Sequence, residues 1–163
     1  MKFAPVAAFV VCVAAAAAQA ADYTHKPSGL KFTLPEGWIC TEQGERLTIT
    51  NEDKTVALVG GVIEQEASQA IFGDIQKFLA SIDGWNNVEV TGGPTKEEAD
   101  GLELTWYEGT VTIKNDNGAA EELEWDMTIV KGGKQILFLV GTGKLDENEE
   151  EYEELFESIE KAE

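Results

Sequence analysis

The 163-residue chain is poor in the side chains from which most catalytic and metal centres are built. It has one histidine, His25, and two cysteines, Cys12 and Cys40. A structural zinc cage takes four thiolate, imidazole or carboxylate ligands, most often cysteines and histidines, so those two residue types alone cannot supply one here. A Cys–His nucleophile pair would have to join Cys40 to His25 with no supporting signature around either. No Gly-x-Ser-x-Gly occurs, and Ser81 and Ser158 fall on predicted helices, where nothing marks them as nucleophiles. The 31 acidic residues offer too many carboxylate pairs for spacing to select one. The residues point to a non-enzymatic chain without a cofactor.

Positive charge is scarce as well. Twelve Lys and Arg stand against 31 Asp and Glu, a formal charge of −19. Nucleic acid and anionic membrane are therefore poor partners, while a basic protein and weakly held divalent cations match the sign. Long apolar runs are missing except at Val6–Ala18. With Lys2 before it and Ala18-Gln19-Ala20 after it, that run has the three-part form of a secretory signal. It is shorter than the roughly 20 residues of a spanning helix. Residues 1–20 are thus expected to be a signal peptide, 21–28 a polar lead-in containing His25, and 29–163 one domain. The expected location is periplasmic or secreted in a bacterium, with no membrane insertion after cleavage. The mature chain keeps only Cys40, so no internal disulfide forms, and a buried, inert thiol is expected beside Trp38 and Ile39.

What is present is a run of strand patterns and two amphipathic helices. Leu30, Phe32 and Leu34 alternate with polar residues, and Pro35-Glu36-Gly37 turns the chain into Trp38, an expected core anchor. Leu47–Thr50 and Thr55–Glu64 flank a polar hairpin loop. The second of these is apolar on both faces, and Gly60-Gly61 within it predicts a bulge or a close backbone approach by a helix. Ser68–Ile82 predicts one helix with a broad apolar stripe, Ser68 as its N-cap and Gly84 just past its end. Val88-Glu89-Val90 starts a strand that Gly92-Gly93-Pro94 ends, and Lys96–Gly101 reads as a charged turn. In the next strand Leu102, Leu104 and Trp106 share a parity that Val111 and Ile113 do not, so a bulge is expected at Gly109.

Trp125–Gly143 is the organising stretch. Its second half, Ile136-Leu137-Phe138-Leu139-Val140, is apolar at every position, which predicts a central strand with Phe138 in the core. Gly141-Thr142-Gly143-Lys144 looks like a phosphate loop, yet Phe138 and Leu145 stand where a Walker motif needs Gly and Ser or Thr. Asn115-Asp116-Asn117-Gly118 looks like part of a calcium loop, but Ile113 would occupy its first ligand position. The last element is a helix with Tyr152, Leu155, Phe156 and Ile159 on one stripe and a capping box from Asp146 and Glu149. Burying that stripe is worth about 6–12 kcal/mol before entropy. Speculative ligand contacts are Gly60, Gly61, Gly141 and Lys144.

The stretch Gly29-Leu30-Lys31-Phe32-Thr33-Leu34-Pro35-Glu36-Gly37-Trp38, the strand begun by Gly101 and the final hairpin-plus-helix together resemble the PsbP-like family, which includes the Ran-binding Mog proteins. The resemblance covers roughly residues 29–160. It implies an α+β fold, an α/β/α sandwich with a central antiparallel sheet of about seven strands and helices on both faces. The family's plant members assist the oxygen-evolving complex, its nuclear members bind a small GTPase, and it has many exported bacterial members. The export signal, the apparent complete fold and the lack of a catalytic constellation point to an exported accessory or protein-binding domain, and the acidic balance leaves a basic protein open as its partner. The alternative is a protein of the cell envelope that binds a small ligand or divalent cations. No functional residue is carried over from the family to this chain.

Overall fold

The computed structural model of the protein describes residues 20–114 and 117–162. Apart from Ala20, the expected signal segment lies outside them, as do Asn115 and Asp116 of the supposed calcium loop. Ten strands and three short α-helices are described. In chain order they are β1 (Ala21–His25), β2 (Leu30–Leu34), β3 (Ile39–Gln43), β4 (Arg46–Thr50), β5 (Val56–Ile63), α1 (Ser68–Phe72), α2 (Ile75–Leu79), β6 (Asn86–Ala99), β7 (Leu102–Lys114), β8 (Ala120–Lys131), β9 (Ile136–Gly143), α3 (Glu149–Glu157) and β10 (Glu160–Lys161). Seven strands form one antiparallel sheet in the order β3-β4-β5-β9-β8-β7-β6, and β1, β2 and β10 form a second, small sheet.

β9 is the middle strand of the seven. Its side chains alternate as the sequence requires. Leu137 and Leu139 enter a core with β2, β4, Leu155 and Phe156, while Ile136 and Val140 enter a second core with Ile75, Leu79, Trp125 and Met127. The neighbouring β5 divides the same way, with Val56 and Leu58 on the first side and Ile63 on the second. Trp38, Leu155, Phe156 and Ile159 are buried as expected. The chain is mostly sheet. Its helical pieces are five, five and nine residues long, and α3 shares the cover of its side with the small sheet, so full helical layers on both faces are not what the chain carries.

Several local expectations are corrected. The helix expected over Ser68–Ile82 is interrupted at Gly73-Asp74, where the Asp74 carboxylate accepts from the Lys77 amide at 3.0 Å and restarts the turn as α2. Ser68 is not an N-cap; it begins α1, and its hydroxyl donates to the Gln65 carbonyl. The capping box does not form either. Asn148 precedes α3, and its side chain donates back to the Lys144 carbonyl at 2.8 Å. The polar lead-in is a strand, β1, paired along its whole length with β2.

The β7–β8 ladder runs unshifted from Glu103↔Lys131 to Lys114↔Ala120, so no bulge sits at Gly109. The parity change has another cause: Leu102 and Leu104 face the first core and Val111 the second, because the strand changes which layer it serves. The register shifts lie between β6 and β7, where β6 runs through the Gly92-Gly93-Pro94 stop to Ala99. The turn is only Asp100-Gly101, with φ of 51° and 75°. Two consecutive positive φ values define the two-residue hairpin that Asp-Gly favours. Gly60-Gly61 is also no bulge, since both β5 ladders continue through it. The close approach there is by β9, whose Phe138 carbonyl would collide with a Cβ at Gly60.

His25 is fully buried beside the first core. Its Nδ1 meets the Ser28 hydroxyl at 3.0 Å, and among the described residues its Nε2 has no partner. Burial pushes its pKa below the usual 6.5, outweighing the opposite pull of Glu42 and Glu45. The neutral ring therefore contributes stability that is complete above about pH 6.5 and is lost as pH falls below it. His25→Gln, which does not titrate, should show a smaller drop in melting temperature than wild type between pH 7.5 and 5. The two core positions also rank. Phe138 is only half-buried, whereas Leu139 is 1% exposed. Leu139→Ala should cost about 2–5 kcal/mol in urea unfolding, and Phe138→Ala distinctly less.

Candidate functional site: an acidic groove along the last helix

One end of the first face of the large sheet is left open by the small sheet. There β7 and β8 present Leu104, Trp106 and Glu108, and Glu124 and Asp126, toward α3. The groove between them has a volume of about 900 Å³. Among the described residues it is lined by nine carboxylates and no Lys or Arg. From the helix come Glu149, Glu153 and Glu157, four residues apart and so on one face. The floor is aromatic and apolar: Trp106, Tyr152 and Phe156 line it, and Tyr152 and Phe156 stack tilted at 4.9 Å.

Asp126 fixes the groove's geometry. β8 places Trp125, Met127 and Ile129 in the second core, which turns Asp126, Thr128 and Val130 to the other face. The Tyr152 hydroxyl on α3 donates to the Asp126 carboxylate and so ties the helix to the sheet. Gly141 stands opposite Asp126 in the ladder, and a Cβ there would collide with the Tyr152 hydroxyl. The glycine leaves room for that hydrogen bond. Glu108 is the partner of Asp126 on the other side. Burial, with a smaller push from Glu108, raises the Asp126 pKa from 3.8 to about 6, against the opposing hydrogen bonds from Tyr152 and Gly141. Burial and the nearby carboxylate also push the Tyr152 phenol well above its ordinary value.

The four residues singled out in the sequence do not converge. Gly60 and Gly61 line a separate, apolar pocket on the sheet. Gly141 lies beneath Tyr152. The Lys144 ammonium is held by both carboxylate oxygens of Glu147 at 2.9 Å. Cys40 is a half-buried free thiol that burial pushes up to about 11. Among the described residues no group of three or more His, Cys, Asp or Glu is placed to hold a metal ion, and no helix is long and apolar enough to cross a membrane. Asp126 and the groove were missed in the sequence. The available signal was a carboxylate, Asp126, on the same strand face as Thr128 and the apolar Val130.

The strand order, the two cores and the short helices define an α+β domain. The chain is similar to cyanobacterial PsbP (CyanoP) from Synechocystis sp. PCC 6803, with a TM-score of 0.63 and 15% identity, over 92% of this chain and 96% of that one. It is similar also to the Ran-binding protein Mog1p of Saccharomyces cerevisiae, with a TM-score of 0.53 and 8% identity, over 90% and 97% of the two chains. A point mutant of Mog1 matches with a TM-score of 0.52 and 9% identity, over 88% and 96%. No family model matches the sequence, and no curated protein does. At such identities the likeness establishes the fold.

Asp126 carries a testable pH signature. Its folded pKa lies above its unfolded one, so its contribution is complete below about pH 4 and is lost as pH rises through about 6. Asp126→Asn keeps an oxygen for the Tyr152 hydroxyl and removes the charge. It should stabilise the protein by about 2–3 kcal/mol at pH 7, fading toward zero near pH 4. Urea unfolding of both proteins at the two pH values checks it.

Proposed function

We propose that the protein is an exported, non-catalytic accessory domain that docks a basic segment of a protein partner in the groove along α3. The observation that carries this reading is the composition of that groove: nine carboxylates around an aromatic floor, with no Lys or Arg among the described residues that line it. Aromatic anchors supply most of the affinity of protein interfaces. Charge of one sign steers a complementary partner and excludes like-charged ones. A segment carrying lysines on one side and a few apolar residues on the other matches both. The fold supports the same role, since one protein that shares it is a Ran-binding protein. The signal-like N-terminus supports export to the periplasm or beyond. The charge of −19 weighs against nucleic acid and anionic lipid as partners.

A fluorescein-labelled amphipathic peptide of lysine, leucine and phenylalanine tests the reading by anisotropy. It should bind saturably at low salt, and affinity should fall about ten-fold between 50 and 300 mM NaCl. The paired reversal Glu149→Lys, Glu153→Lys lies on the exposed helix face, spares the core, and should weaken binding by a further ten-fold or more. Affinity unchanged by that reversal would place the docking surface elsewhere. Equal binding of a glutamate-substituted control peptide would remove the charge argument altogether.

A further inference from the structure

The opposite face of the sheet carries a second concavity of about 540 Å³, which the groove's function does not use. Its walls are Phe78 of α2, Ile82 and Trp85 after it, and Val59, Phe138 and Val140 of the sheet. Phe72, Phe78 and Phe138 hold one another edge to face at 5.6–5.9 Å, which fixes the apolar wall. The space exists because of one residue. Arg46, Gly61 and Phe138 stand side by side on β4, β5 and β9 and face the same way. Gly61 contributes no side chain between the other two, and a Cβ there would come within 3.7 Å of the Phe138 ring.

Arg46 is the only arginine in the chain, and it lies at the edge of this pocket. Among the described residues its guanidinium has no ion-pair partner. Glu45 precedes it and also borders the pocket, but its carboxylate makes no ion pair with Arg46. The Thr142 hydroxyl, also at the pocket, donates to the Glu124 carbonyl. The pocket therefore offers an aromatic and aliphatic wall with one unpaired cation at its edge. Small-molecule sites have this size and this ratio of apolar wall to placed polar group.

We propose that this pocket binds a small amphiphile with an apolar body and a carboxylate head, the body against Phe78, Trp85 and Phe138 and the head on Arg46. A planar guanidinium pairs with a carboxylate through two parallel hydrogen bonds. A chain of net charge −19 repels anions over most of its surface, so saturable uptake of an anionic amphiphile reports this pocket rather than general adsorption.

The test titrates the full chain with dodecanoate below its micellar concentration, followed by calorimetry and by tryptophan fluorescence, since Trp85 lines the pocket. Dodecanol and dodecyltrimethylammonium serve as neutral and cationic comparators. One saturable site for dodecanoate is expected, with the alcohol weaker and the cation weaker still. Arg46→Gln, an exposed substitution, should lower dodecanoate affinity about five- to ten-fold and leave the alcohol unchanged. Gly61→Val should fill the space and abolish both. Gly61→Ala, whose Cβ would sit 3.1 Å from the Glu45 carbonyl oxygen, asks a smaller adjustment than valine and should reduce both if the valine variant does not fold. Absence of saturable binding overturns the proposal. So does binding that Arg46→Gln leaves intact, or a cation held as tightly as the acid. The basic-peptide assay reads the other face of the sheet, so the two readings can fail separately.

Discussion

The two-sided burial of β9 is the constraint on which the rest depends. A strand that is apolar at five consecutive positions loses its hydrophobic stabilisation unless both faces are covered. In this chain one face meets α3 and residues of the small sheet, and the other meets α2 and the aromatic side chains around it. β5 and β8 flank β9 and inherit the same demand. Neither cover is extensive. α2 has five residues and α3 nine, so the sheet keeps open ground at the ends of both layers. The acidic groove and the apolar pocket occupy that open ground, on opposite faces.

The two concavities differ because the residues available at each differ. At the groove the ladder brings Glu108 and Asp126 side by side, and α3 adds a stripe of glutamates. Mutual repulsion among those carboxylates is tolerated because most remain in water. Asp126 does not, and its raised pKa records the cost, offset in part by the Tyr152 hydroxyl. At the pocket the walls are aromatic and aliphatic, and the cation at its edge is Arg46. A domain with so strong a negative field can separate a cation-seeking surface from an anion-seeking one by putting the sheet between them.

The low identity to PsbP and Mog1p fits this division. The requirement that a central strand be apolar on both faces can be met by many combinations of Leu, Ile, Val and Phe. Side chains on the open ground carry no such requirement, so a shared fold does not carry a shared site.

The sequence by itself determined the central strand, the flanking strand with two apolar faces, the amphipathic stripe of the last helix and the acidic balance. These are periodicities of 2 and 3.6, or sums of charge, and they depend on neighbours along the chain. It did not determine β1, β3 or β10. Ile39–Gln43 has an exposed isoleucine and a polar remainder, and it is a strand because β4 offers it an edge. It did not determine the break at Gly73-Asp74, where a long stripe is cut by a side chain that caps a new turn. Nor did it reveal that Gly61 opens a pocket while Gly141 admits a hydrogen bond. The two glycines look alike along the chain. What each leaves room for is set by Phe138 beside one and Tyr152 above the other, at sequence separations only the folded sheet brings together. Local pattern decides what must be buried; tertiary contact decides which gaps remain and what lines them.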